Sequence, residues 1–295
     1  MESSQPPAQI RGLLWCILAY TVATAAGWFT TQTLGAYDIL WRGAGADIVA
    51  TLVIFCFSVA LNNSSMYDPY WSVAPPFLVL YWMISSPDAN QSRAWLILAL
   101  MTAWGIRLTY NWARYWPGLH HEDWRYVDFR HKMGKAYWLL SFFGLHYFPT
   151  VVVFLGCIPL CYALQSPEPL NLWDGAAALV TGLGVWLEAI ADRQLHAFRA
   201  QRKSPEEIMD QGLWAYSRHP NYLGQMLIWW GAFLFICGTT PEKWWSVAGA
   251  LSITLMLIFV SIPMMDRRSV QRRPKYQEHM KNVPGLFPFR IFGKG

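Results

Sequence analysis

Eight long apolar runs constrain this chain more than any other feature of its sequence. They lie at residues 12–31, 47–61, 72–85, 94–111, 137–164, 172–191, 222–239 and 244–264. Runs of this kind match the length of an α-helix that crosses a lipid bilayer. The third run is short and contains Pro75-Pro76, so it could be a half-helix that lines a cavity. We therefore predict an all-α, polytopic transmembrane helical bundle with seven or eight membrane segments.

The composition supports a membrane protein. Apolar residues make up 54% of the chain and charged residues 14%, about half the charged share of a typical soluble domain. The 18 Trp, 14 Tyr and 16 Phe suit the two membrane–water interfaces and an apolar pocket. The five cysteines lie inside apolar runs without a zinc-binding spacing, so we expect buried thiols.

Basic residues are concentrated in three stretches, 113–136, 192–220 and 265–295, which hold most of the 23 Lys and Arg. Two apolar runs separate each stretch from the next, which places all three on one side of the membrane. The positive-inside rule makes that side cytoplasmic. We expect a multi-pass protein of a bacterial inner membrane, with its basic loops and C-terminus in the cytoplasm and no nucleic-acid partner. The first run lacks a signal-peptide pattern and is expected to be retained.

The second basic stretch begins on a helix whose Glu188, Asp192 and Arg199 recur on one face. Two carboxylates one turn apart at the end of an apolar span are costly unless they meet cations, water or a polar ligand. One interpretation is a helix end that reaches the lipid headgroups. The other is a polar wall that accepts hydrogen bonds from the hydroxyl or amide groups of a ligand.

A dense polar motif follows at 211–224, Gln-Gly-Leu-Trp-Ala-Tyr-Ser-Arg-His-Pro-Asn-Tyr-Leu-Gly. Arg218, His219 and Asn221 crowd the start of the next apolar run, where Pro220 favours the beginning of a helix. The amides and dipole of such a helix N-terminus attract anions such as phosphate. A basic loop that contacts lipid phosphates is the simpler alternative.

The segment His120-His121-Glu122-Asp123 is rich in metal-ligand side chains. Adjacent histidines point in different directions on a helix, and the HxxxH and HExxH spacings are absent. We therefore predict no metal site, and expect this segment to order a cap on the cytoplasmic side.

Three motifs together resemble the steroid 5α-reductase superfamily, specifically its bacterial branch of uncharacterised domains. They are Asp192-Arg-Gln-Leu, then Gly212-Leu-Trp-x-Tyr-Ser-Arg-His-Pro-Asn-Tyr-x-Gly, then Arg272-Arg-Pro-x-Tyr276 with an end near Pro288. The similarity covers residues 47–295 and leaves 1–46 as an additional N-terminal membrane segment and linker. A shorter Arg-His-Pro-x-Tyr-x-Gly also occurs in isoprenylcysteine carboxyl methyltransferases.

The resemblance implies reduction of a carbon–carbon double bond conjugated to a ketone, as in a 3-oxo-Δ4-steroid or similar lipid enone, with NADPH as the cofactor. Negative charge develops on the ketone oxygen, so the site needs a hydrogen-bond donor there. Asp68 stands seven residues before Pro75, where the superfamily has its acidic residue. Desolvation would raise its pKa and let it donate. A plain helix-capping Asp is the alternative.

This chain departs from the superfamily at the assisting tyrosine. Trp104 stands three residues before Arg107, where relatives have Tyr, and an indole cannot act as an acid. The resemblance therefore leaves the phenol to one of three nearby candidates, namely Tyr67, Tyr70 and Tyr110.

No Rossmann fingerprint is present. The Gly-x-Gly at 182–184 lies inside an apolar run, and Leu187 stands where the fingerprint needs its third glycine. The basic loops are expected to form the cofactor site instead. The predicted phosphate ligands are Arg107, Arg199, Arg218 and Arg273. The other predicted cofactor-binding residues are Glu188, Asp192, Tyr216, His219, Asn221, Tyr222, Gln225 and Tyr276.

Three functions from different classes remain open. The first is the NADPH-dependent reductase of a lipophilic enone. The second is a membrane methyltransferase that uses S-adenosylmethionine, similar to the isoprenylcysteine enzymes. The third is a non-catalytic lipid or sterol binder. As partners of a monomer we expect membrane lipid and a lipophilic small molecule, a steroid or an enone lipid.

Overall fold

A computed structural model describes residues 6–286, and every regular element among them is a helix. The α-helices are α1 Pro6–Thr33, α2 Ile39–Ala60, α3 Tyr70–Ile84, α4 Gln91–Tyr115, α5 Trp124–Met133, α6 Tyr137–Leu140, α7 Phe148–Ala163, α8 Leu172–Gln201, α9 Pro220–Cys237, α10 Val247–Met256, α11 Ile262–Arg272 and α12 Tyr276–Asn282. Short 3₁₀ turns occur at Ser64–Tyr67, Gly134–Ala136, Gly212–Ala215 and Pro241–Ser246, and π-helical turns at Ser141–Tyr147 and Leu257–Ser261. The all-α prediction is confirmed for the described residues.

The chain forms two compact units, of which the first ends at Leu170 and contains α1 to α7. A short connection lets α1 and α2 pack along each other, and Asp38 caps α2 by accepting a hydrogen bond from the amide of Leu40. Pro76 inside α3 has no N–H to donate to the Ser72 carbonyl. Gly105 of α4 lies against that carbonyl, because a Cβ there would come within 2.4 Å of the oxygen. The missing side chain therefore lets α4 pack closely on α3.

The second unit begins at Asn171 and contains α8 to α12. Asn171 and Asp174 form a capping box at the start of α8. Further along, α8 and α9 approach at glycine: a Cβ on Gly184 would lie 2.6 Å from the Gly224 carbonyl oxygen, and one on Gly224 would lie 2.7 Å from that of Gly184. Small residues permit this close packing of helices in a membrane.

Each of the eight apolar runs overlaps a helical segment, and four of them extend one or two residues beyond its end. Five helical segments among the described residues are long and apolar enough to cross a membrane, namely Pro7–Thr33, Ile39–Ala60, Trp124–Ala163, Leu172–Gln201 and Pro241–Arg272. The predicted count of seven or eight is not confirmed. The other three runs lie in α3, α4 and α9; α3 has only 15 residues, and α4 carries three arginines.

The cysteine prediction is correct at three positions. Cys16, Cys157 and Cys161 are buried, whereas Cys56 is exposed and Cys237 is half-buried. The prediction is wrong at Cys56 because an apolar run in a membrane helix has an outer face that lipid, rather than protein, covers.

Candidate functional site

Asp68 lies between the 3₁₀ turn Ser64–Tyr67 and the start of α3, and its side chain is half-buried. The hydroxyl of Tyr126, on α5, donates a hydrogen bond to Asp68 Oδ1 at 2.5 Å. The two elements are joined nearby, because the backbone N–H of Asp123 donates to Ser65 Oγ at 2.8 Å. Asp123 in turn caps α5. The structure thus forms a carboxyl–phenol pair from residues far apart in the sequence.

Burial raises the pKa of Asp68 to about 6. The guanidinium of Arg125 opposes this shift, the carboxylate of Asp123 adds to it, and hydrogen bonds from Tyr126 and Ser65 also oppose it. Arg125 is held in place by its Nε, which donates to Asp123 Oδ1 at 2.7 Å. A carboxyl with this pKa is part protonated near neutral pH, which a general acid requires.

The three tyrosines predicted to assist Asp68 have other positions. The Tyr67 hydroxyl lies 2.8 Å from Thr150 Oγ1, and the Tyr70 hydroxyl donates to Asp47 Oδ1 at 2.7 Å. Tyr110 is 59% exposed on α4. The role of each in catalysis stays a prediction.

Sequence reasoning missed Tyr126 and Asp47. Tyr126 is separated from Asp68 by 58 positions, and no local pattern signals the contact. Asp47 could have been found, since it begins the second apolar run and is buried within α2. An ionisable side chain inside a membrane segment is by default a candidate functional residue.

In the second unit, the predicted cofactor motif is organised around Asp266, which sequence reasoning also missed. Arg218 Nη2 lies 2.7 Å from Asp266 Oδ2, and Arg218 Nε donates to Oδ1 at 3.3 Å. His219 Nε2 lies 3.0 Å from the same Oδ1, and the Tyr276 hydroxyl donates to it at 3.3 Å. Burial, together with the Asp266 carboxylate, raises the pKa of Tyr276 to about 12. Three predicted cofactor residues are therefore held together by one carboxylate.

The same motif also binds the end of the described chain. The backbone N–H groups of Arg218 and His219 donate to the carbonyls of Pro284 and Gly285 at 2.9 and 3.1 Å. Arg218 Nη1 donates to the carbonyl of Val283 at 2.5 Å. The Arg218 guanidinium is thus engaged inside the protein, and its predicted contact with phosphate stays a prediction. Pro288, where the third motif ends, lies outside the described residues.

The remaining predicted cofactor residues of the second unit differ in exposure. Glu188 and Gln225 are buried; Asp192, Tyr222 and Arg273 are half-buried; Arg199 and Tyr216 are exposed. Asn221 is half-buried at the start of α9, and its Oδ1 is a buried atom without a hydrogen-bond partner among the described residues. The Tyr222 ring stacks on that of His219 at 5.3 Å between centroids. Arg107 belongs to the first unit, on α4, and is half-buried.

Arg199 lies within electrostatic range of three other arginines of the second unit, Arg202, Arg272 and Arg273, and of the Asp192 carboxylate. Burial and the neighbouring Arg202 and Arg272 lower the pKa of Arg273. Arg273 Nε donates to the carbonyl of Pro205 at 2.9 Å. A cluster of like charges is unfavourable by itself and favours a phosphate-bearing ligand.

The segment His120-His121-Glu122-Asp123 forms hydrogen bonds with other parts of the first unit. Glu122 Oε1 lies 3.0 Å from Arg130 Nη2 and accepts a hydrogen bond from the Ser64 amide at 2.7 Å. No group of three or more His, Cys, Asp or Glu within residues 6–286 is arranged to hold a metal ion.

Comparisons with known proteins give a family and one curated relative. The profile of a family described as "Protein of unknown function (DUF1295)" matches residues 54–283. An uncharacterised protein of Schizosaccharomyces pombe is 29% identical over 265 residues, which cover 80% of this chain and 76% of the relative. No solved structure matches.

Proposed function

Because the chain belongs to the DUF1295 family, which is part of the steroid 5α-reductase-like group, we propose that it is an integral-membrane oxidoreductase. In this proposal it reduces a conjugated C=C bond of a 3-oxo-Δ4-steroid or similar lipid enone with hydride from NADPH. Its basic loops face the cytoplasm of a bacterium, where NADPH is available. The observation that carries the proposal is the Asp68–Tyr126 pair, whose carboxyl has a pKa of about 6.

The pair suits the charge that develops in the reaction. When Asp68 is ionised, the Tyr126 hydroxyl donates to it, as in the structure. When Asp68 is protonated, its O–H can donate to the phenol oxygen, and Tyr126 can turn its own proton toward the ketone oxygen. A donor in a dry site that meets developing negative charge lowers the barrier by several kcal/mol, on the order of 3. A proton from solvent then adds to the α-carbon and completes the saturated ketone.

NADPH supplies the hydride that adds to the β-carbon of the enone. The donor set of the second unit fits this cofactor. The arginine cluster formed by Arg199, Arg202, Arg272 and Arg273 offers bidentate ligands for the 2′-phosphate and pyrophosphate. Asn221 offers a buried amide oxygen without a partner among residues 6–286. Asp266 keeps His219 and Tyr276 in fixed positions beside it.

The proposal is tested with purified protein in detergent, NADPH and a 3-oxo-Δ4-steroid. We expect consumption of NADPH and formation of the saturated ketone. Tyr126→Phe should lower kcat by roughly 10²-fold while the affinity for NADPH stays the same, because one donor to the ketone oxygen is lost. Tyr67→Phe and Tyr70→Phe are matched comparisons, and a larger rate loss in either one would move the phenol role to that residue.

The relative affinity for NADPH and NADH provides a second test of the proposal. We expect NADPH to bind at least tenfold more tightly than NADH, about 1.4 kcal/mol, because arginines replace the water around the 2′-phosphate. Replacing Arg199 with Ala should narrow this difference. Retention of S-adenosylmethionine by the purified protein, with no affinity for either nicotinamide nucleotide, would instead support the methyltransferase alternative.

A further inference from the structure

A cavity of about 150 Å³ lies between α1, α2 and α3 of the first unit, and neither Asp68 nor Tyr126 lines it. The space exists because five lining residues are small, namely Ala23, Gly27, Ala46, Ala50 and Ala74. Trp28, Phe77 and Ile84 line it as well and are each about half exposed. These large apolar side chains sit where lipid would surround a membrane helix, so the cavity is accessible from the bilayer. An apolar cavity of roughly this size stays dry and can hold an apolar ring.

Asp47, on α2, is the acidic residue that lines this cavity, and its side chain is buried in the first unit. Tyr70 donates to Oδ1 of Asp47 and also to its backbone carbonyl, at 2.7 and 3.0 Å. Among the described residues, Tyr70 is the side chain that binds this carboxyl. A carboxylate has about four acceptor positions, so one bond from Tyr70 leaves acceptor capacity on a group that is costly to bury. A hydroxyl group of a ligand would use that capacity.

Tyr81 marks the other end of the cavity. It follows Tyr70 on α3 by about 16 Å along the helix axis, at 1.5 Å per residue. Its ring is fixed by Trp28, edge-on at 6.3 Å between centroids, and by the Arg42 guanidinium 5.9 Å from the ring centroid. Its hydroxyl is buried, and no residue in 6–286 forms a hydrogen bond with it. The cavity is therefore an elongated apolar space with the Asp47 carboxyl, which has spare acceptor capacity, toward one end and the unpartnered Tyr81 hydroxyl toward the other.

We propose that this cavity binds a lipid that has one hydroxyl group on an elongated apolar body, with the hydroxyl donating to Asp47. The apolar body lies along α3 toward Tyr81, and the remainder extends past Phe77 into the bilayer. The site is separate from the Asp68–Tyr126 pair and does not depend on the proposed reduction. Sterols and isoprenoid alcohols share the required chemistry.

The experiment uses the full-length protein in nanodiscs and two photoactivatable probes, a diazirine sterol with a free hydroxyl and a diazirine farnesol. Each probe is paired with its methyl ether, which cannot donate a hydrogen bond. Labelled peptides are identified by mass spectrometry, and the apparent Kd is taken from saturation of labelling. We expect saturable labelling of α1–α3 peptides by at least one alcohol. Its ether should bind at least tenfold more weakly, because it lacks the hydroxyl that donates to Asp47.

Variants separate the hydroxyl contact from a general affinity for lipid. Asp47→Ala should abolish the preference for the alcohol over the ether, and Asp47→Asn, which keeps an acceptor oxygen, should retain part of it. Ala74→Phe should fill the cavity and weaken labelling by alcohol and ether alike. Asp88→Asn, in the exposed loop after α3, is the matched control and should behave as the wild type.

The proposal is overturned if neither alcohol labels α1–α3 saturably, or if alcohol and ether label equally in the wild type. It is also overturned if the preference survives in Asp47→Ala. Because the readout is ligand binding in these helices, a failure here leaves the rate measurements at Asp68 and Tyr126 unaffected. Loss of enone reduction would likewise leave this site untouched.

Discussion

Asp68→Asn should become more stable relative to the wild type as the pH rises, and it also removes the proposed acid. Burial raises the pKa of Asp68 from an ordinary 3.8 to about 6. The folded state therefore favours the protonated carboxyl, and its contribution to stability is present below pH 4 and is lost as the pH rises through 6. About two pKa units correspond to at most about 3 kcal/mol, a value that solvent near the half-buried side chain reduces.

Part of this change in the free energy of unfolding falls within a pH range that can be measured. With pKa values of 3.8 unfolded and about 6 folded, roughly 1.4 kcal/mol of it falls between pH 5 and pH 8. The Asn side chain does not titrate, yet its amide oxygen can still accept the hydrogen bond from Tyr126. The difference in unfolding free energy between Asp68→Asn and wild type should therefore shift in favour of the variant by up to this amount as the pH rises.

The assay is unfolding in detergent at pH 5 and pH 8, followed by tryptophan fluorescence. Asp88→Asn, whose carboxyl lies in an exposed loop, is the control and should show no such shift. If the difference between Asp68→Asn and wild type is the same at both pH values, burial does not perturb this carboxyl. If Asp68→Asn instead loses stability relative to the wild type as the pH rises, the pKa of Asp68 is lowered in the folded protein and not raised.

Two further predictions concern packing in the second unit. Asp266→Ala should lower the free energy of unfolding by roughly 3 kcal/mol or more, because it leaves the Arg218 guanidinium buried without its carboxylate. We expect faster proteolysis of the C-terminal segment in this variant. Resistance to proteolysis equal to that of the wild type would contradict the prediction. Gly224→Ala should lower the free energy of unfolding by roughly 1–3 kcal/mol in a thermal unfolding assay, because its Cβ would lie 2.7 Å from the Gly184 carbonyl oxygen. Gly182→Ala is the control: no atom lies within 4 Å of its Cβ, so this variant should be neutral or slightly stabilised. Equal effects at the two positions would argue against close packing of α8 on α9.

The helices were predictable from the sequence because their signal is local. Each apolar run coincides with a helical segment, and Pro220 begins α9 as its fixed backbone angle favours. The number of membrane-crossing segments was less predictable, because α3 is short and contains two prolines. Length and mean hydropathy alone do not determine whether such a helix crosses the bilayer.

The partners of the candidate site residues were not predictable, because they depend on contacts between distant segments. Asp68 could be chosen from its spacing to Pro75, but its contact with Tyr126 requires α5 to pack beside the turn at Ser64–Tyr67. Asp266 stands among basic residues near the end of an apolar run, where sequence alone suggests a solvated charge. Its role becomes visible only when Arg218 and His219 are seen to bind it.

Transfer of deuterium from NADPH to the substrate tests whether the protein reduces the C=C bond of a lipid enone. Purified protein in detergent is incubated with NADPH that carries deuterium at the transferable position of its nicotinamide, together with a 3-oxo-Δ4-steroid, and the product is analysed by mass spectrometry and NMR. We expect a saturated ketone with one deuterium at the β-carbon and a solvent proton at the α-carbon, formed roughly 10²-fold more slowly by Asp68→Asn. Deuterium at the carbonyl carbon, or wild-type rates in Asp68→Asn, would contradict it.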